Sequence, residues 1–68
     1  LPATEQAVFG ILKVDEAVHV DQVVEASGLN PSDVLAALFG LEMKGLIRQL
    51  PGKFFLRVLP ARQELRVS

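Results

Sequence analysis

Few side chains in this sequence are equipped for chemistry, and most of those that are carry positive charge. Lys44, Arg48, Lys53 and Arg57 follow one another at intervals of four or five residues. Cations so spaced could hold phosphates, giving weak, salt-sensitive binding without sequence preference. A solvated basic sheet face would account for them equally well. His19 is the sole histidine, and cysteine is absent. As a ligand or base, His19 lacks a partner at useful spacing; as a strand residue with its ring at the surface it needs none. Asp21 and Glu25 lie one helical turn apart and could meet at a metal, but no histidine or third carboxylate joins them. A helix cap and a solvated glutamate explain that pair. No serine sits in a nucleophile elbow, and the glycines at 10, 28, 40, 45 and 52 are too dispersed for a phosphate loop. The expectation is a non-enzymatic domain with no cofactor and no metal.

Composition narrows the setting. Sixty-eight residues make one small domain whose core must be aliphatic, since half the residues are hydrophobic and only four are aromatic. Neither a disulfide nor a thiolate site can supplement that core. Apolar runs fall far short of the roughly 20 residues that span a bilayer. No secretory signal pattern opens the chain, and a cytoplasmic setting is the default. The start at Leu1 without methionine suggests a fragment of something longer. The net charge of −1 hides an asymmetry: residues 1–43 carry seven acids against Lys13 alone, and residues 44–68 carry six bases against Glu64 alone. An anion would be met by the second part.

Thr4 reads as the N-cap of a first helix, with Glu5 in its first turn and Val8, Ile11 and Leu12 on its buried stripe. Val18, His19 and Val20 alternate as a short strand, the third member of a small sheet. Asp21 then caps a short second helix that Gly28 ends. Asn30, Pro31 and Asp33 form a strong helix start, with Leu29 and Val34 at the spacing of a hydrophobic staple. The third helix runs to about Lys44, burying Val34, Leu38 and Leu41 with Leu35 flanking them, and Gly45 stops it. Leu46 to Leu50 and Phe54 to Val58 are strands joined by Pro51-Gly52 as a type II turn. The fold class is therefore α+β, mostly α: a winged helix-turn-helix of three helices and a small antiparallel sheet with a hairpin wing. It spans residues 1–59, with 60–68 a disordered tail.

In such a fold, the outward face of the third helix decides whether bases are read. Here that face comprises Ser32, Asp33, Ala36, Ala37, Phe39, Gly40 and Met43, of which only Ser32 is a usual base contact. That composition argues against sequence-specific major-groove reading. Two functions fit what is left. One is phosphate contact through Lys44, Arg48, Lys53 and Arg57. The other is protein contact through Ala36, Ala37, Phe39, Gly40 and Met43, a small-residue apolar surface that lets another helix approach. Phe39 and Met43 would instead be lost to that surface if they complete the core beside the first helix.

Three stretches carry a resemblance to the winged-helix domain of the DNA-processing protein A family (DprA, also called Smf). They are Val18 to Val23; Ser27-Gly28-Leu29 with Val34, Leu35 and Leu38; and Leu41-Glu42-Met43-Lys44-Gly45-Leu46-Ile47 with Leu50-Pro51-Gly52 and an aromatic at Phe54 or Phe55. The likeness covers roughly residues 4–58. The Leu-Glu-x-Lys-Gly-Leu segment also resembles MarR-like regulators, whereas the Leu-Pro-Gly turn and the Arg-poor third helix favour DprA. The resemblance implies a bacterial parent protein that binds single-stranded DNA and helps load RecA during natural transformation. It implies partners in the parent's Rossmann-like domain or in RecA; the basic hairpin read above allows this domain a weak, non-specific contact with DNA. The matching positions (Asp21, Gly28, Leu38, Leu41, Gly45, Leu46 and Gly52) are structural, and Glu42 matches without an assigned role.

Overall fold

A computed structural model describes residues 1–58; the tail expected over 60–68 lies outside them. The elements run α1 (Ala3–Ile11), β1 (Val18–His19), α2 (Val20–Ser27), α3 (Pro31–Met43), β2 (Ile47–Leu50) and β3 (Phe54–Arg57). This is the winged-helix order expected from the residues, mostly helical with a three-stranded antiparallel sheet. The sheet order is β1-β3-β2, so the last strand lies in the middle. Val18 and His19 pair with Phe55 and Phe54, and Ile47 to Leu50 pair with Arg57 to Phe54.

The α3 start forms as its residues dictate. The Asn30 side chain accepts the Asp33 N–H at 2.9 Å, Pro31 opens the helix, and Asp33 faces its positive end. Gly28 and Gly45 stop α2 and α3 in the left-handed conformation, at φ 73° and 76°. Gly52, at φ 87°, supplies the positive φ that a type II turn requires. Lys53 adds a second left-handed residue at φ 66°, so the wing loop is the three residues between the paired Leu50 and Phe54.

Two expected caps are corrected. Helix α1 begins before Thr4, with Pro2 in the cap position and no side-chain cap bond. The Pro2 carbonyl accepts the Gln6 N–H at 2.9 Å, so the backbone alone closes the first turn. Helix α2 is capped by His19 in place of Asp21. The His19 Nδ1 accepts the Asp21 N–H, and Gln22 Oε1 accepts the His19 N–H, both at 3.1 Å. Strand thus passes into helix without a loop, which leaves the first-turn role to Asp21.

The core is apolar throughout: Val8 and Leu12 from α1, Val20 and Val23 from α2, Val34, Ala37, Leu38 and Leu41 from α3, and Ile47 and Phe55 from the sheet. No polar or charged side chain is buried among the described residues. Leu29 packs against the cluster from outside, as its staple position requires. No helix among these residues is long and apolar enough to cross a membrane.

Candidate protein-contact groove and the cations around it

Helix α3 presents two dissimilar sides. Its inward stripe is Val34, Ala37, Leu38 and Leu41. On the other side Leu35, Phe39 and Met43 follow at every fourth residue, 54%, 66% and 77% exposed. The expected contact face is revised accordingly. Ala36, Phe39 and Met43 are exposed as expected, so Phe39 and Met43 do not complete the core. Ala37 is buried at 3% exposure, because it sits three residues after Val34 and four before Leu41. Gly40 is half-buried under the Glu5 side chain. Leu35, expected to flank the core, belongs to the exposed stripe; its four-residue spacing to Phe39 was the signal for it.

Beside that stripe runs a groove of about 1080 Å³ between α2, α3 and the wing. Val20 and Val24 line it from α2, Leu35, Ala36, Leu38 and Phe39 from α3, and Phe55 from the sheet. Three carboxylates, Asp21, Glu25 and Glu42, also line it, with Lys53 as the one cation. Glu25 and Glu42 make no ion pair among the described residues.

The four cations proposed for phosphate do not converge. Lys44 pairs with Glu5, whose side chain is only 12% exposed and reaches across α3 over Gly40. A Cβ at position 40 would collide with that carboxylate. The Arg57 guanidinium donates from Nε and Nη2 to the Phe9 carbonyl, at 3.0 and 2.8 Å, and lies 4.1 Å from the Phe9 ring centroid. Helix α1 has no basic residue in its last turn, so Arg57 supplies from across the fold the charge its C-terminal carbonyls favour. Arg48 is exposed on the side of β2 away from the groove, by a shallow depression with Val14, Leu56 and Val58. Lys53 stands at the wing tip, its carbonyl accepting the Val20 N–H at 3.0 Å. Only Arg48 and Lys53 are without a charged or hydrogen-bonded side-chain partner among the described residues, and they stand apart.

His19 belongs to the scaffold. Besides capping α2, its ring meets the Phe54 ring edge-on at 5.1 Å, tying β1 to the wing. No group of three His, Cys, Asp or Glu residues that could hold a metal forms among the described residues, so Asp21 and Glu25 gain no third ligand.

A family model described as the DprA winged helix domain matches residues 1–53, from α1 through the wing loop. The chain belongs to that family. Searches of curated proteins and of solved structures return no match. The DprA match favours the expectation drawn from the Leu-Pro-Gly turn over the MarR-like one. In the DprA winged helix seen here, the turn sits at the end of the matched region and β3 follows it.

Proposed function

We propose that this domain is a non-enzymatic accessory module of a DprA-like DNA-processing protein of the bacterial cytoplasm, working by protein contact. Single-stranded DNA handling and RecA loading during DNA uptake and natural transformation rest, in this reading, with the rest of the parent protein. The observation that carries it is the exposed stripe of Leu35, Phe39 and Met43 on α3. Large apolar side chains aligned on one helix face favour a protein partner over water. The same face offers a duplex no basic side chain, and Asp33 stands at its start.

Phosphate contact remains the second reading, supported by the uncommitted side chains of Arg48 and Lys53. It now has two candidate cations in place of four, because Lys44 faces Glu5 and Arg57 faces Phe9. One experiment separates the readings. The 68-residue chain is titrated with the parent's Rossmann-like domain, with RecA, and with short DNA at two salt concentrations, following amide chemical shifts. Protein contact predicts shifts along α3 that Ala36→Arg abolishes. DNA contact predicts shifts at Arg48 and Lys53, with a log–log salt slope of at most about 1.8 for two phosphates. Silence along α3 with both proteins overturns the contact reading. Arg at position 36 is the better probe than Arg at 40, where the new side chain would displace Glu5.

A further inference from the structure

We infer that the groove between α2, α3 and the wing receives an amphipathic helix that carries Lys or Arg beside its apolar stripe. The inference rests on the protein-contact reading and adds the chemistry of the partner. Its floor and the adjoining α3 stripe are apolar, through Val24, Leu35, Phe39 and Phe55, and Ala36 leaves room for a close approach. A helix laid in an apolar groove is one of the recurring modes of peptide recognition, anchored by residues at helical spacing.

Charge selects the partner further. Asp21, Glu25 and Glu42 border the groove against Lys53 alone, so the described residues that line it carry net negative charge. Glu25 and Glu42 are exposed and unpaired among the described residues, which leaves both free to meet incoming cations. Complementary charge of this kind fixes register and rejects wrong partners more than it adds raw affinity. The same carboxylates disfavour a nucleic-acid backbone in the groove. A second copy docking groove to groove would also bring like charges together. A basic, apolar-striped helix satisfies both the floor and the rim.

The test uses the 68-residue chain and three synthetic peptides of about 15 residues, long enough to sustain a helix when docked. One has Leu at helical spacing with Lys flanks, one replaces every Lys with Glu, and one scrambles the Leu/Lys order. The Leu/Lys peptide is expected to shift amides at Val24, Leu35, Phe39 and Phe55. Its affinity is expected to fall roughly fivefold in the double variant E25Q/E42Q, whose positions are exposed and whose own amide spectrum serves as the check on its fold. The Leu/Glu and scrambled peptides are expected to bind more weakly than the first. Equal binding of the Lys and Glu peptides, or of the scrambled one, overturns the inference, as does an unchanged affinity in E25Q/E42Q. If no peptide binds while Ala36→Arg still breaks assembly with a protein partner, this inference falls and the contact reading stands.

Discussion

Ala36 and Ala37 are the same residue one peptide bond apart, and they belong to different worlds. Ala37 lies against the core with Val34, Leu38 and Leu41, at 3% exposure, while Ala36 opens onto the groove. Helix α1 packs against α3, with Glu5 lying over Gly40. The outward side gathers Leu35, Phe39 and Met43, which do little for the isolated fold because water still reaches most of each side chain. One helix therefore carries a side shaped by folding and a side that folding does not explain. That contrast points to the outward side as the place to look for a role other than stability.

The largest expected effect separates the two alanines. Ala37→Arg places an uncompensated charge in the core and is expected to cost upwards of about 3 kcal/mol, enough to unfold so small a domain. Ala36→Arg is expected to change stability by no more than about 0.5 kcal/mol. Urea denaturation followed by circular dichroism measures both, and similar midpoints for the two variants would erase the distinction between the faces. An intermediate effect is expected at the other end of the fold. Arg57→Ala removes two charge-assisted bonds to the Phe9 carbonyl and is expected to cost about 2 kcal/mol. A loss below about 0.5 kcal/mol would return Arg57 to the pool of solvated cations.

The smallest effect tests the border between the faces. The Glu5–Lys44 pair is half-exposed on the lysine side, and a double-mutant cycle is expected to give a coupling of about 0.5 kcal/mol. In a Gly40→Ala background the coupling is expected to vanish, because the methyl group takes the space of the Glu5 carboxylate. The gain in helix propensity, up to about 1 kcal/mol, works in the opposite direction and limits the net change. A coupling that survives Gly40→Ala would show that Glu5 can reach Lys44 by another path.

What could be read in the sequence was local. Asn30, Pro31 and Asp33 announce α3 because capping involves residues within one turn; Gly28 and Gly45 announce helix ends and Gly52 the wing turn, because each needs a positive φ. The apolar spacing of Val34, Leu38 and Leu41 was equally legible. Ala37 was misplaced although its spacing to Val34 and Leu41 is helical; its small side chain made it look indifferent to burial. His19 escaped as a cap because a histidine between two valines at strand spacing reads as part of the strand. The engagements of Glu5 with Lys44 and of Arg57 with Phe9 span 39 and 48 residues. No local pattern foreshadows them, and they are what removes two of the four cations from the candidate phosphate site.

The sheet order has a consequence for how the chain is made. The central strand β3 is the last to be synthesised, and β1 and β2 pair with it but not with each other. A nascent chain halted after residue 53 would already hold the whole stretch matched to the family, with its three helices complete. Both outer strands would still lack a neighbour, and the Phe9 carbonyl would await a guanidinium 48 residues behind it. The sheet and the Arg57 bond to Phe9 can therefore close only once β3 has been made. Its first helix leaves the ribosome early, can pack on α2 and α3, and gains its bond to Arg57 last.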